Sequence, residues 1–509
     1  MSHYLSVEGP VGFWDFKNIA ASIALTSAFT NPLARAGGNE ASEKPHKSTD
    51  SSVMMAKFAR FGDVTIYNPG VKKPTALFIF LSGDGGWNSG VVDMARAIAA
   101  KDALVAGVSV PAYMKAIKAT KSKCHYPAGD LESLSHFIQK KLDLKSYIKP
   151  VLVGYSSGAT LAYATMVQAP EGSYEGAITL GFCPDFIVDR PLCKGGGLES
   201  VKRKDGKSID FLPADISPSR WFILNGMNDQ VCKIDEQRAF ITKIPTAALI
   251  ELPKVGHGFG VTKNWLPQFI QSANEFKKPA ESRAAFIPEG DLADLPIIET
   301  DAADKSSKYF AVILSGDGGW AGIDRALSVQ LRDDGIKSVG LDSLRYFWQE
   351  KTPEVLSRDL TKIAKFYSKK WGLNKILWIG YSFGADVLPF AISRFSQDIL
   401  TMTDGAVYVG PSTNATFEFH VTDWLDSSSQ DGENVPKEIA KLDADVPQLC
   451  IFADEEKESP CRIIKGKNFT AKPLSGGHHF GGDYDALANL IEDFADAVAT
   501  RPSGINHGR

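Results

Sequence analysis

Short uninterrupted apolar runs recur along the chain, and each run is followed by a glycine-rich or polar segment. In the N-terminal half they lie at Ala76–Leu81, Val151–Val153, Ala177–Leu180 and Trp221–Leu224, and in the C-terminal half at Phe310–Leu314, Ile376–Ile379, Val407–Val409 and Gln448–Phe452. Apolar runs bounded in this way are typical of strands that are buried on both faces. Helical patterns separate them, and such alternation predicts a mostly parallel sheet flanked by helices. The fold class is therefore α/β.

Three motifs occur twice, in the same order, which indicates that the α/β unit is duplicated. Ser82–Trp87 (SGDGGW) recurs as Ser315–Trp320, Gly154–Ala159 (GYSSGA) as Gly380–Ala385 (GYSFGA), and Gly256–Phe259 (GHGF) as Gly477–Phe480 (GHHF). The period far exceeds the roughly 20–50 residues of stacked repeats, so a duplicated domain is predicted rather than a solenoid.

Polar and proline-rich segments separate the two copies from each other and from the N-terminus. We predict a signal peptide at residues 1–36, a linker at 37–55, a first domain at 56–278, a linker at 279–306, a second domain at 307–500 and a tail at 501–509. The apolar run Asn18–Phe29 is shorter than the roughly 20 residues of a membrane span. It precedes Ala34-Arg35-Ala36, a signal-peptidase pattern that predicts export to the periplasm with cleavage near Ala36. An uncleaved interfacial or buried helix is the alternative.

The composition excludes several classes of protein. Hydrophobic residues make up 44% and charged residues 23% of the 509 positions, as in ordinary globular proteins. The net charge of −4 does not favour a nucleic-acid partner, which requires a basic surface. No cluster has the spacing of metal ligands, so we expect neither a metal nor a cofactor.

The six cysteines are too few for a disulfide scaffold but are compatible with export. Cys450 and Cys461 are close enough in sequence to form one bridge. The other four cysteines allow three pairings, of which the bridge between Cys183 and Cys193 is the most local, and the sequence does not decide between them. These four are Cys124, Cys183, Cys193 and Cys232.

The Gly-x-Ser-x-Gly turns after buried strands are typical of a nucleophile elbow. Each copy then supplies an acid and a histidine in the order of an α/β-hydrolase triad, with nearly equal spacings in the two copies. The candidate catalytic residues are Ser156, Asp229 and His257 in the first copy and Ser382, Glu456 and His478 in the second. Asp454 and Glu455 remain alternatives for the second acid, and whether both copies are active is open.

Backbone N–H groups beside each serine are predicted to hold an oxyanion, together with the glycine-rich loop. The candidate oxyanion and substrate-binding residues are Gly83, Asp84, Ser157, Gly316, Asp317, Trp320, Phe383 and Asp386. Asp386 is equally well explained as a favourable charge at a helix N-terminus. Trp320 and its counterpart Trp87 are equally well explained as core residues.

The second copy resembles the VirJ/AcvB family of periplasmic bacterial virulence proteins over Lys308–Leu490. The resemblance rests on SGDGGW, on Tyr346-Phe347-Trp348, and on the segments Gly380–Pro389 and Gly477–Phe480. Two copies behind an export signal are similar to the AcvB-like branch of the family. The first copy lacks the Tyr-Phe-Trp and Ala-Asp-Val-Leu-Pro segments and is therefore more divergent.

The resemblance implies two tandem α/β-hydrolase-like domains and a serine hydrolase with Ser382 as nucleophile. The implied substrate is lysyl- or alanyl-phosphatidylglycerol at the membrane surface, whose ammonium group Asp317, Asp386 and Trp320 are suited to bind. Virulence and contact with secretion-system proteins are also implied. A general lipase, esterase or thioesterase and a non-enzymatic scaffold are the alternatives, and the oligomeric state is open.

Overall fold

The computed structural model describes residues 52–71, 73–100, 102–216, 219–277, 292–302, 307–419, 432–442, 444 and 446–499. These residues belong to one compact unit, Thr49–Arg509. The expected signal peptide and the C-terminal tail lie outside the described residues. Within the described part of the chain, no helix is both long and apolar enough to span a bilayer.

The N-terminal half contains the first copy of the α/β unit. Its strands are β1 (Ser52–Phe58), β2 (Gly62–Asn68), β3 (Ala76–Leu81), β4 (Ala103–Val108), β5 (Pro150–Tyr155), β6 (Gly176–Leu180), β7 (Asp185–Ile187), β8 (Ser200–Lys202), β9 (Ser208–Phe211), β10 (Arg220–Gly226) and β11 (Ala247–Leu252). Its helices are α1 (Ser89–Ala99), α2 (Val110–Lys118), α3 (Pro127–Lys141), α4 (Ser157–Gln168), α5 (Ile234–Ile241) and α6 (Leu266–Lys277).

The C-terminal half contains the second copy. Its strands are β12 (Ile297–Thr300), β13 (Phe310–Leu314), β14 (Ser338–Leu341), β15 (Ile376–Tyr381), β16 (Thr403–Val409), β17 (Asn414–Ala415), β18 (Glu433–Asn434), β19 (Gln448–Ala453) and β20 (Phe469–Leu474). Its helices are α7 (Ile323–Asp333), α8 (Ser343–Tyr346), α9 (Pro353–Trp371), α10 (Phe383–Ile392), α11 (Gln397–Met402), α12 (Val435–Lys441) and α13 (Tyr484–Ala499).

The two large sheets have the same topology except that the first has one additional edge strand, β1. The first has the strand order β1-β2-β4-β3-β5-β6-β10-β11, and the second has the order β12-β14-β13-β15-β16-β19-β20. All neighbours from β4 to β11 and from β14 to β20 are parallel, and the antiparallel strands β1, β2 and β12 lie at the edges. The predicted α/β class, built twice as tandem α/β-hydrolase-like sheets, is confirmed. Every apolar run singled out in the sequence forms part of a strand in these sheets.

Two segments predicted to be linkers contribute strands at the sheet edges. Strand β1 begins inside the segment 37–55, and strand β12 lies inside the segment 279–306. Both strands are antiparallel edge strands with exposed or half-buried positions, so they lack the continuous apolar pattern of the central strands. Because β12 is short and is preceded by prolines and acidic residues, its few apolar positions do not stand out as a strand pattern in the sequence.

Helix α9 shows how local sequence determines the ends of an element. The Thr352 hydroxyl accepts a hydrogen bond from the Val355 N–H at 3.3 Å, and Pro353 occupies the first turn, where a missing N–H costs nothing. The helix ends at Gly372, whose φ of 67° lies in the left-handed region that favours glycine. Its buried face includes Leu356, Leu360 and Ile363, which pack in the core of the second copy.

The two copies contact each other directly. The Gly322 N–H donates to the Glu171 carbonyl at 3.0 Å, and the Arg325 guanidinium pairs with the Glu171 carboxylate at 2.7 Å. The Trp348 indole N–H donates to the Leu144 carbonyl at 2.7 Å. The side chain of Trp348 is fully buried in this contact, so the two halves of the chain share part of their core.

Three disulfide bonds pair all six cysteines: Cys124–Cys193, Cys183–Cys232 and Cys450–Cys461. The bridge between Cys450 and Cys461 was expected from sequence separation. The most local of the remaining pairings, Cys183–Cys193, does not form. Cys183 instead follows β6 and meets Cys232, which follows the neighbouring strand β10, because parallel strands bring their carboxyl ends together.

Each copy packs a tryptophan of its glycine-rich loop over a glycine of the adjacent strand. A Cβ placed on Gly107 would lie 1.9 Å from the Trp87 ring, and one on Gly340 would lie 2.1 Å from the Trp320 ring. We expect Gly107→Ala to lower the free energy of unfolding by about 1–3 kcal/mol, because the indole must be displaced from the sheet. Urea denaturation measures this change.

The matched control for that substitution is Gly260→Ala in the same copy. Gly260 is exposed and has no atom within 4 Å of an added Cβ, so its replacement should leave the denaturation midpoint nearly unchanged. Equal effects of the two substitutions would contradict the packing explanation.

Candidate active site

The two serines of the Gly-x-Ser-x-Gly motifs occupy sharp turns between a strand and a helix. Ser156 lies between β5 and α4, and Ser382 lies between β15 and α10. Their φ angles of 55° and 51° fall in the left-handed region, which is uncommon for residues other than glycine. Such backbone strain is typical of a nucleophile elbow, where the turn lifts the hydroxyl above the end of the sheet. Both serines are half-buried, so their hydroxyls can be reached.

The second glycine of each motif permits the close approach that this turn requires. A Cβ on Gly158 would lie 2.3 Å from the Leu81 carbonyl oxygen, and one on Gly384 would lie 2.2 Å from the Leu314 carbonyl oxygen. Any larger residue would push the helix away from the neighbouring strand. The spacing of the motif is therefore explained by packing around the serine.

In the first copy, the structure brings the three predicted residues together. The Ser156 Oγ lies 2.9 Å from His257 Nε2, and His257 Nδ1 lies 2.9 Å from Asp229 Oδ2. The other carboxylate oxygen of Asp229 accepts hydrogen bonds from the N–H groups of Val231 and Cys232. Both carboxylate oxygens of Asp229 are therefore hydrogen-bonded, and its side chain is fully buried.

In the second copy, the equivalent chain of hydrogen bonds runs through Glu456. The Ser382 Oγ lies 2.9 Å from His478 Nε2, and His478 Nδ1 lies 2.6 Å from Glu456 Oε1. Asp454 is exposed and accepts from the Gly476 N–H at 2.9 Å, and Glu455 is exposed as well. The geometry therefore decides in favour of Glu456 among the three acids that the sequence left open.

The proton arrangement of both triads follows from the acids. A carboxylate only accepts hydrogen bonds, so Nδ1 of each histidine carries the proton and Nε2 is left to accept the serine hydroxyl. The hydrogen bond from His478 holds the pKa of Glu456 below its usual value, although burial opposes this. Burial raises the pKa of Asp229, but the His257 and backbone hydrogen bonds outweigh burial, and its pKa lies below 3.8. Both acids are ionised at neutral pH.

The tyrosine before each serine is a site residue that the sequence analysis missed. The Tyr155 hydroxyl donates to the His257 carbonyl oxygen at 3.0 Å. The Tyr381 hydroxyl lies 3.4 Å from the His478 carbonyl oxygen and 3.0 Å from Nδ1 of His479. These contacts fix the loop that carries the histidine. The signal available in the sequence was that Gly-Tyr-Ser is repeated in both copies.

The glycine-rich loops pass directly over the serines. A Cβ on Gly83 would lie 3.2 Å from the Ser156 Cβ, and one on Gly316 would lie 3.6 Å from the Ser382 Cβ. The loop is therefore close enough to each serine to supply an oxyanion-binding N–H, as do Ser157 and Phe383 at the first helical positions. In this loop Asp84 is exposed, whereas Asp317 is half-buried.

The first residue of each loop ties it to the next element. The Ser82 hydroxyl accepts from the Val110 N–H at 3.0 Å, and the Ser315 hydroxyl accepts from the Ser343 N–H at 2.9 Å. Both serines are fully buried. Their hydrogen bonds therefore fix the start of each glycine-rich loop to the first residue of α2 or α8.

Two predicted substrate-binding residues have structural partners. Asp386 is 7% exposed, and its Oδ1 accepts from the Ser412 N–H at 2.6 Å, which fixes the loop after β16. Burial raises the pKa of Asp386 well above its usual value. Trp320 is 8% exposed, and its indole ring packs on Gly340, so the sheet covers one face of the ring. The structure thus favours the structural alternative for both residues.

One group of side chains has the proximity of a metal site. Potential ligand atoms of Asp229, Cys232 and His257 all lie within 4.8 Å of one another. The Cys232 sulfur is bonded to Cys183, however, so it is not a thiolate. The disulfide and the triad hydrogen bonds account for this cluster.

The low pKa of Asp229 makes stability depend on pH. Because its folded pKa lies below its unfolded pKa, the native state binds fewer protons, and the stabilisation is present above the unfolded pKa. It is lost as the pH falls through the folded pKa. We expect wild-type stability to fall more steeply below about pH 4 than that of Asp229→Asn, as measured by urea midpoints at several pH values. Parallel curves would contradict this expectation.

The model of the family described as bacterial virulence protein (VirJ) matches residues 75–177 and 308–498, which together exceed half of the chain. The matched ranges include Ser156, Ser382 and His478. A search of curated proteins found no match.

Several solved structures align with less than half of the chain. The esterase domain of a Rhodothermus marinus protein is 12% identical, and the match covers 44% of this chain and 98% of that one, with a TM-score of 0.32. An alpha-beta serine hydrolase homologue from Coxiella burnetii is 15% identical, with 46% and 98% coverage and a TM-score of 0.28. Esterase 2 of Thermogutta terrifontis is 18% identical, with 48% and 97% coverage and a TM-score of 0.31.

Proposed function

The chain belongs to the VirJ family of bacterial virulence proteins, and from this premise we propose that it is a serine hydrolase acting on aminoacylated phosphatidylglycerol. The reaction is cleavage of the aminoacyl ester of lysyl- or alanyl-phosphatidylglycerol, which releases the amino acid and phosphatidylglycerol. The observation that carries the proposal is the hydrogen-bonded chain of Ser382, His478 and Glu456.

The proposed mechanism uses this chain in two steps. His478 Nε2 takes the proton of the Ser382 hydroxyl while Oγ attacks the acyl carbon, and Glu456 stabilises the imidazolium. The N–H groups of Phe383 and the Gly316 loop hold the oxyanion. His478 then protonates the departing glycerol oxygen of the lipid. A water molecule, activated by the same histidine, hydrolyses the aminoacyl-enzyme.

The acidic side of the second site supports an aminoacyl substrate. The α-ammonium group of such an ester lies on the carbon next to the scissile carbonyl, and Asp317 lies next to Gly316, which packs against Ser382. A carboxylate at this position complements the ammonium of the acyl group rather than a fatty-acyl chain. Asp386 is not part of this proposal, because Ser412 uses its carboxylate.

We also propose that the chain is exported to the periplasm and acts at the membrane surface. The three disulfide bonds support this location, because structural disulfides are rare in reducing compartments. Contact with secretion-system proteins is a further proposal, and it rests on the resemblance to the VirJ/AcvB family alone.

Turnover of defined lipids by the purified full-length protein tests the proposed function. Vesicles would contain lysyl-, alanyl- or unmodified phosphatidylglycerol, with a short fatty-acyl ester as a separate substrate. We expect release of free amino acid from the aminoacylated lipids, at least about tenfold faster per enzyme than cleavage of the fatty-acyl ester.

The other outcomes separate the alternatives. Cleavage of all esters at similar rates would identify a general esterase or lipase. If no ester were cleaved, the enzyme proposal would fail and the scaffold alternative would be favoured.

A further inference from the structure

A cavity of about 460 Å³ lies where the two copies meet. The first copy contributes Lys149, which directly precedes β5, and the second contributes Arg325 of α7 and Arg345 of α8. The copies touch at the wall of the cavity, since a Cβ on Gly172 would lie 3.2 Å from the Trp320 carbonyl oxygen and 3.3 Å from the Arg325 Cδ. Among the described residues that line the cavity, none belongs to either triad. Cavities of this size between two folded units are typical sites for small ligands.

The ammonium group of Lys149 is unpaired in this cavity. Lys149 is half-buried, and among the described residues its ammonium has no hydrogen-bond or ion-pair partner. Burial lowers the pKa of Lys149, although the charges of Asp342 and Glu175 act in the opposite direction. A half-buried ammonium without a partner is costly, and an anion bound beside it removes that cost.

The two arginines also have donors left for a ligand. Arg325 Nη2 pairs with the Glu171 carboxylate at 2.7 Å, but its Nε is buried and has no hydrogen-bond partner in the described part of the chain. Arg345 is exposed, and within the same residues its guanidinium group makes no hydrogen bond or ion pair. Three cationic side chains from both copies therefore border one cavity with donors unused.

Two acidic side chains line the cavity as well, but they do not balance its positive charge. Asp342 accepts a hydrogen bond from the Arg345 backbone N–H at 3.1 Å, and burial raises its pKa. Glu175 is the other acid, whereas Lys277 adds a fourth basic side chain to the described lining. An excess of positive charge remains even when Glu171, the partner of Arg325, is counted.

We propose that this cavity binds a small molecule that carries a phosphate group, held by Lys149 of the first copy and by Arg325 and Arg345 of the second. A phosphate group carries up to two negative charges and has three acceptor oxygens, so it suits three cationic donors better than a single carboxylate does. Apolar side chains such as Phe276 and Leu344 line other parts of the cavity and can contact the organic part of the ligand. The ligand bridges the two copies and takes no part in ester cleavage, so the inference goes beyond the proposed function.

Calorimetric titration of the full-length protein in phosphate-free buffer tests the proposal. The probes are glycerol 3-phosphate and inorganic phosphate, in about 0.15 M chloride so that unspecific attraction between charges is screened. We expect glycerol 3-phosphate to bind with a dissociation constant of about 1 mM or lower and with one molecule per chain. Absence of binding of both probes would overturn the proposal.

Two variants and a matched control assign the binding to the cavity. Lys149→Met and Arg345→Met should each weaken binding at least about tenfold, because each removes a charged hydrogen-bond donor. Arg345 is exposed, so its replacement leaves the fold intact even if that of Lys149 does not. The control is Lys145→Met, which removes an exposed ammonium from the same segment, where it pairs with Asp143 outside the cavity. Unchanged binding in both cavity variants, or an equal loss in the control, would contradict the proposal.

Competition with vesicles distinguishes the two sources of a phosphate group. Displacement of bound glycerol 3-phosphate by phosphatidylglycerol vesicles would assign the natural ligand to a lipid headgroup. Vesicles without effect would assign it to a soluble molecule. Both results support a phosphate site in the cavity, provided that Lys149→Met and Arg345→Met weaken binding of the probe.

Discussion

We expect Ser382→Ala to lower kcat for aminoacyl-ester cleavage by about 10³- to 10⁶-fold, because the acyl carbon then has no nucleophile aligned with His478. The alanine keeps the elbow backbone and removes only the hydroxyl that lies 2.9 Å from His478 Nε2. Amino-acid release from lysyl-phosphatidylglycerol vesicles measures the effect. The residual rate reflects oxyanion stabilisation and binding alone.

Ser156→Ala is the matched control, since it makes the same change at the equivalent elbow of the same chain. The Ser156 hydroxyl also lies 2.9 Å from a histidine nitrogen. Each variant therefore loses one equivalent hydrogen bond between serine and histidine. We expect Ser156→Ala to retain most of the activity on the aminoacylated lipid. Loss of activity with Ser156→Ala alone would transfer the proposed reaction to the first copy, and partial loss with each variant would indicate two active sites.

Glu456→Gln is expected to lower kcat by about 10³- to 10⁴-fold without a comparable change in KM. The carboxylate at 2.6 Å from His478 Nδ1 holds the proton there and stabilises the imidazolium. An amide has no negative charge, and its NH₂ group can hold the ring in the wrong tautomer. Steady-state kinetics on a soluble aminoacyl ester separate kcat from KM.

Asp454→Asn tests whether the neighbouring acid has any part in this effect. Asp454 also follows strand β19, but it is exposed and accepts a hydrogen bond from the Gly476 N–H rather than from His478. We expect the Asp454→Asn variant to keep kcat within about threefold of the wild-type value, because substitutions of exposed residues away from the site usually have small effects. A larger loss for Asp454→Asn than for Glu456→Gln would contradict the assigned triad.

The sequence was most informative where chemistry and backbone requirements are local. The strands β3 and β13 coincide with the predicted runs Ala76–Leu81 and Phe310–Leu314, because a central parallel strand is apolar on both faces. The serine turns were predicted correctly, because glycines at fixed offsets report the close approach of the helix to the sheet. Order along the chain was enough to propose the two triads.

The errors and open alternatives concern contacts between distant segments. The edge strands β1 and β12 have weak patterns because one side of each strand has no neighbour in the sheet. For Asp386 and Trp320 the sequence left a structural and a substrate-binding role open, and the structure gives them Ser412 and Gly340 as partners. Neither partner is recognisable from the motif in which the residue occurs.

By itself the sequence determined the duplicated α/β fold, both serine elbows and the order of the triads, since each depends on residues a few positions apart or on a pattern repeated in register. Only the tertiary structure decided that Glu456 completes the second triad and that Cys183 pairs with Cys232. The physical reason is that these contacts depend on how strand ends and helices from separate segments come together, and residue type alone does not encode that distance.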